Sequence, residues 1–162
     1  MNDDKNTALY AFRTFGDIVL RAAFSGTGDM QEAEDITQEV FLTLHSKPRS
    51  FNDDEHMKAW LLRAVINRCR NYKKSFRSSM TDHLDDLSAE PAVPFTAEEN
   101  ELKEKISAMP AKYSSVLFLY YYEGYTIKEI ADIIGKKENT VSSLLQRGRK
   151  KLRSVLEEEG SL

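Results

Sequence analysis

Residues 126–153, TIKEIADIIGKKENTVSSLLQRGRKKLR, constrain the fold more than any other stretch, because the start, stop and buried face of two successive helices can be read from them. Thr126 followed by Glu129 is a capping box: the hydroxyl accepts from a first-turn amide while the carboxylate reaches back to the cap amide. Ile127, Ile130, Ala131 and Ile134 recur at i, i+3, i+4 and i+7, which gives one apolar stripe, and Gly135 supplies the left-handed residue that stops the helix. A second helix is expected after Lys136 and Lys137, capped by Asn139 or Thr140. Val141, Leu145, Gly148, Leu152 and Leu156 form its buried stripe. Its outward side chains are Ser142, Ser143, Gln146, Arg147 and Lys150. Two helices about a short glycine-containing turn, the second polar and basic outside, make a helix-turn-helix whose second helix suits the DNA major groove. An ordinary helical hairpin with a solvated basic face has the same local pattern, and the rest of the chain weighs against it.

The net charge of −3 argues against a nucleic-acid binder only until it is resolved along the 162 residues. Residues 56–81 hold seven bases and no acid, and residues 136–153 hold seven bases against Glu138. Both blocks are candidate phosphate-contacting surfaces. Between them, residues 79–104 carry eight acids against Lys103. A length of 162 residues fits one domain or two small ones, since domains usually hold about 100 to 150 residues. No apolar run reaches the roughly 18 residues of a membrane span, and the acidic N-terminus lacks the apolar core of a signal peptide, so a cytoplasmic protein without direct membrane association is expected. The single Cys69 excludes an internal disulfide and reads as a small buried hydrophobe. His45, His56 and His83 lack the short-range ligand neighbours of a zinc site, and there is no glycine-rich phosphate loop, so neither metal nor cofactor is expected.

Ahead of the helix-turn-helix the periodicity predicts further helices. Residues 6–24 carry Leu9, Phe12, Phe15, Val19, Leu20 and Ala23 at helical spacing, broken by Gly26 and Gly28. Residues 29–45 bury Ala33, Ile36, Val40, Phe41 and Leu44, and present Asp35, Gln38, Glu39 and Leu42 as a second stripe. That stripe is either a solvated face or, with its exposed leucine beside carboxylates, a docking face for a basic helix. Residues 46–55 read as a loop with Phe51 as an anchor or stacking residue. The helix over 56–76 buries Met57, Trp60, Leu61, Ala64, Val65, Cys69 and Tyr72. Arg63, Asn67, Arg70 and Lys74 run down another side of it, a basic stripe with one polar group suited to reading a base. Residues 80–96, with Pro91, Pro94 and scattered acids, read as a flexible linker. A charged helix over 97–108 follows, then an apolar one begun by Pro110 and closed by Gly124.

Taken in order, these parts resemble a bacterial RNA polymerase sigma factor of the extracytoplasmic-function type. The segment Glu34-Asp35-Ile36-Thr37-Gln38-Glu39-Val40-Phe41-Leu42 resembles that family's polymerase-binding segment. Trp60-Leu61-Leu62-Arg63 with Asn67 resembles its promoter-melting and minus-ten-reading helix, and residues 140–153 resemble its minus-thirty-five-reading helix. The resemblance implies an all-α fold of two small domains joined by an acidic linker: sigma region 2 over 1–79, the linker over 80–96, and sigma region 4, a winged-helix-like helix-turn-helix, over 97–162. It implies that Asp35, Gln38, Glu39 and Leu42 bind a coiled coil of core RNA polymerase. The loop before the third helix would hold a flipped base. Arg63, Asn67, Arg70, Asn71 and Lys74 would meet the minus-ten element, and Ser142, Ser143, Gln146, Arg147 and Lys150 the minus-thirty-five duplex. The partners implied are core polymerase, promoter DNA and an anti-sigma factor, often membrane-bound, with no catalytic site in the chain. This sequence departs from the family at Ser142 and Leu144, where basic residues are common, and at Asn139, where glycine is usual. A stand-alone helix-turn-helix regulator of duplex DNA is the rival reading, and it leaves the acidic stripe and the first basic stripe unused. A nucleic-acid-processing enzyme would need a carboxylate or metal constellation that the sequence does not group.

Overall fold

Seven α-helices and one π-helical turn make up the computed structural model, which describes residues 4–78 and 97–160. The helices are α1 (Asp4–Thr27), α2 (Met30–Ser46), α3 (Asp54–Ser78), α4 (Ala97–Ser107), α5 (Ala111–Leu117), α6 (Ile127–Ile134) and α7 (Glu138–Gly160), with the π-turn Phe118–Tyr122 following α5. No strand occurs among the described residues, so the helix-turn-helix carries no β-wing there. The linker expected over 80–96 lies outside the described residues.

Local chemistry sets the helix ends. Asp29 caps α2 by accepting from the Glu32 amide at 3.2 Å. The third helix begins earlier than its apolar period suggests because Asp53 caps it, accepting from the His56 amide at 2.8 Å. In return, His56 Nδ1 accepts from the Asn52 amide at 3.0 Å. The ring lies edge-on to Phe51 with centroids 5.2 Å apart. At α6 both halves of the capping box are present, at 3.1 Å into Thr126 Oγ1 and 2.9 Å into Glu129 Oε1, and Gly135 closes the helix at φ 72°.

Helices α1, α2 and α3 pack together, as do α5, α6 and α7, and α1 also meets α4 and α5 while α3 meets α5 and α6. One apolar core therefore runs from Ala8, Val19 and Leu61 through Ile106 and Tyr113 to Ile130, Val141 and Leu145. Each fully buried Leu, Ile or Val in it contributes roughly 1.5–3 kcal/mol relative to exposure. Cys69 is fully buried in this core, as its helical position predicts.

The packing revises several expectations. Gly26 does not break α1, which runs to Thr27. A Cβ on Gly26 would lie 2.7 Å from both Cβ and Sγ of Cys69, so the glycine is where α1 and α3 approach most closely. Leu9 and Phe12 are 46% and 54% exposed, because α1 has more apolar positions than its neighbours cover. Leu156 is 41% exposed, since α7 extends past the body of the protein. The apolar helix after Pro110 stops at Leu117 and widens into the π-turn, where the Glu123 amide donates to the Phe118 carbonyl at 3.2 Å. The wider turn places Tyr121 outside, where its hydroxyl accepts from Arg149 Nη1 at 3.0 Å.

Candidate nucleic-acid interface

Three surfaces carry the predicted site residues. On α2, the side chains of Asp35, Gln38, Glu39 and Leu42 are exposed, the leucine by 62%. The opposite stripe, Ala33, Ile36, Val40, Phe41 and Leu44, is buried, so the amphipathic reading of this helix holds. The carboxylates are crowded. Glu32 has its pKa raised, first by burial and then by the charges of Asp35, Asp29 and Glu39. Glu39 faces Arg68 Nε at 3.4 Å, and Arg68 Nη2 donates to Thr43 Oγ1 at 3.0 Å, which ties α2 to α3. Glu39 is largely exposed, and such a pair contributes about 0–1 kcal/mol. A cationic partner would relieve this surface of like charge.

The second surface is a cavity of about 430 Å³ beside α3, lined by Arg49, Trp60, Arg63, Ala64, Asn67 and Arg68. Its aromatic wall is Trp60 of α3, backed by Phe51 of the loop before that helix. Phe51 packs on Trp60 with centroids 5.9 Å apart, and the Arg49 guanidinium carbon lies 5.2 Å from the Trp60 centroid and 5.8 Å from that of Phe51. Guanidinium over an aromatic face is an attractive arrangement and leaves the donors at its rim available. Arg63 and Asn67 meet at this cavity, as their shared stripe predicts. Arg70 does not stand free beside them, because its Nη2 donates to Asn67 Oδ1 at 2.9 Å. Asn71 is exposed on the same helix. Lys74 belongs to α3, but its side chain lies outside the described ones. Sequence reasoning missed Arg49 and the role of Trp60 as a wall, and it counted Arg68 only within the basic block of residues 56–81. Arg49 and Arg68 lie on different elements, and only the fold joins them.

The third surface is the outer face of α7, where Ser142, Gln146, Arg147 and Lys150 are exposed and Ser143 is half-buried. Val141, Leu145 and Gly148 are buried beneath them. The helix-turn-helix therefore offers the polar side that a major groove would meet. Its turn also contacts α3. A Cβ on Gly135 would lie 2.5 Å from Arg63 Nη2, so the guanidinium rests against the C-terminal end of α6, where the helix carbonyls favour a cation. Alongside, Lys58 Nζ lies 5.2 Å from the Tyr125 centroid, and Arg21 faces Glu123 at 3.6 Å. Burial raises the Tyr125 pKa, partly offset by its hydrogen bond with Lys58.

Among the described residues no group of three or more His, Cys, Asp or Glu is placed to hold a metal ion, and no helix is long and apolar enough to cross a membrane.

Comparison with known proteins identifies the family. The family model for sigma-70 region 2 matches residues 11–78, and that for sigma-70 region 4 matches residues 99–152. The chain is 30% identical over 143 residues to the ECF RNA polymerase sigma factor SigM of Bacillus subtilis, covering 85% of this chain and 87% of that one. It is 28% identical over 158 residues to SigW of the same organism, covering 88% and 84%. The sigma factor RpoE of Bartonella quintana, solved in complex with the anti-sigma factor NepR, shares the fold with a TM-score of 0.72 at 20% identity, over 94% of this chain and 98% of that one. The two family-model matches, together with these relatives, place this chain in the extracytoplasmic-function family of RNA polymerase sigma factors, which serve promoter-directed transcription and are not enzymes.

Proposed function

We propose that this chain binds core RNA polymerase through Asp35, Gln38, Glu39 and Leu42 and directs it to promoters by reading two elements. Arg63, Asn67, Arg70, Asn71 and Lys74 serve the minus-ten element, and Ser142, Ser143, Gln146, Arg147 and Lys150 the minus-thirty-five duplex. The observation that carries the reading is the open cavity with an aromatic wall and basic rim on α3, in the same chain as a helix-turn-helix with an exposed outer face. A regulator of duplex DNA alone has use only for the second. Drawing a base out of the stack costs a few kcal/mol, which stacking on an aromatic and phosphate contacts can offset. The parts divide as region 2 over 1–79, a linker over 80–96 and region 4 over 97–162. An anti-sigma factor is a further partner, supported by the sigma factor of like fold solved with one.

Run-off transcription with added core polymerase on a promoter library tests this. Specific transcripts should require the chain, and Asp35→Arg with Glu39→Arg should abolish co-purification with core polymerase while the helical content persists. Full co-purification of that double variant would remove the docking assignment. Duplex binding with no core-dependent transcription would favour the stand-alone regulator.

A further inference from the structure

One basic side chain of α7 is held by a group outside its own helix. Ser142, Gln146, Arg149 and Arg153 recur at i, i+4, i+7 and i+11, so Arg149 shares a stripe with two of the proposed duplex readers and lies just beyond them along α7. Arg149 Nη1 donates to the hydroxyl of Tyr121 at 3.0 Å. Two local features make that contact. The π-turn carries Tyr121 outside, where it is 52% exposed, and the Tyr120 ring stands edge-on to it with centroids 4.9 Å apart. Gly148 lets α7 come close, since a Cβ there would lie 3.3 Å from Leu117 at the end of α5. The ion pairs among the described residues, Arg21–Glu123 and Arg68–Glu39, leave Arg149 without a carboxylate.

We infer that Tyr121 is a positioning residue, which holds the Arg149 guanidinium as an anchor for one backbone phosphate at the edge of the minus-thirty-five duplex. The inference rests on the duplex-reading function proposed above and extends that site beyond α7. Tyr121 follows α5, which packs against α7, so its hydroxyl draws the guanidinium back to the flank of the helix and away from the outer crest that meets base edges. A cation at the flank faces the strand that walls the groove. A free arginine has many rotamers to give up on binding, whereas one tied at Nη1 has fewer, and its remaining N–H groups keep the planar fork that suits a phosphate.

The test uses the full chain with core polymerase on a promoter recovered by run-off transcription, with closed-complex affinity measured over a range of potassium chloride concentrations. A neutral methylphosphonate is then moved one position at a time along both strands of the minus-thirty-five segment. Parent holoenzyme should lose affinity at the phosphate that Arg149 holds, and in Arg149→Ala neutralising that phosphate should cost nothing further. Arg149→Ala should weaken all promoters alike, on the order of tenfold, and lower the slope of log affinity against log salt by about 1. Tyr121→Phe keeps the ring on Tyr120 and every charge, so it should weaken binding several-fold at an unchanged salt slope and have no effect once Arg149 is alanine. An unchanged phosphate profile in Arg149→Ala, or an altered base preference, would overturn the inference. A Tyr121→Phe loss that persists without Arg149 would do so too, because the hydroxyl would then act for itself, as would parent-like binding by Tyr121→Phe. Failure of Arg149→Ala to co-purify with core polymerase would make it a polymerase contact instead. A parent holoenzyme that binds no promoter would remove the proposed function itself.

Discussion

Gly26→Ala tests how closely α1 and α3 must approach. In an exposed helix interior this substitution would stabilise, because glycine costs roughly 0.5–1 kcal/mol relative to alanine. Here the new methyl would sit 2.7 Å from Cβ and Sγ of Cys69, inside contact distance and against a fully buried side chain. The Cys69 Cβ is fixed to the α3 backbone and cannot swing aside, so the helices must part, and overpacking of this kind costs about 1–3 kcal/mol. The second effect wins, and a net loss of about 1–2 kcal/mol is expected by urea denaturation followed by far-UV circular dichroism. The diagnostic is the sign in a second background. In Cys69→Gly the obstructing atoms are gone, and Gly26→Ala should then stabilise by about 0.5–1 kcal/mol, as helix propensity alone requires. If Gly26→Ala stabilises the parent, or costs the same in both backgrounds, the close approach does not limit the packing and the reasoning fails.

Thr126→Ala removes the acceptor of the Glu129 amide and should cost about 1 kcal/mol in the same assay; a loss below about 0.2 kcal/mol would show that the capping box contributes little. Glu32 holds its proton more tightly when folded than unfolded, so its charge opposes folding as pH rises through and beyond the carboxylate range. Glu32→Gln should therefore melt higher than the parent at neutral pH and converge with it in acid; a constant difference across pH would refute the crowding of α2. Arg147→Ala should cost about 1–3 kcal/mol at the preferred duplex and flatten its sequence preference, whereas Lys150→Ala should weaken all duplexes alike, as salt-dependent electrophoretic shifts would report.

Elements whose determinants are local could be read directly. The Thr126–Glu129 box and Gly135 fix α6 from within one turn of chain, and the fold reproduces both. The buried stripe of α2 was equally legible, since its apolar period is unbroken. Gly26 was misread because a glycine within a helix looks like a stop until its neighbour is known, and Cys69 lies 43 positions further along the sequence. The π-turn escaped notice because an aromatic run, Phe118 to Tyr122, has no period that separates a widened turn from a regular one. At the cavity, the stripe of Arg63, Asn67 and Arg70 could be read from its spacing, but not that Arg70 turns onto Asn67, nor that Arg49 closes the wall from a preceding loop.

The shared core has a consequence for inheritance. Because α1 packs on α4 and α5 while α3 packs on α5 and α6, the residues matched to region 2 and those matched to region 4 bury one another's apolar surface. A region 4 exchanged from a relative would bring its own set of facing side chains to α1 and α3. Any that differed in volume would cost stability at the seam rather than on the outer face of α7. Substitutions at Ile106, Met109 and Tyr113 are thus expected to covary with those on α1 and α3, and the two halves of the chain diverge as a pair instead of as separable cassettes.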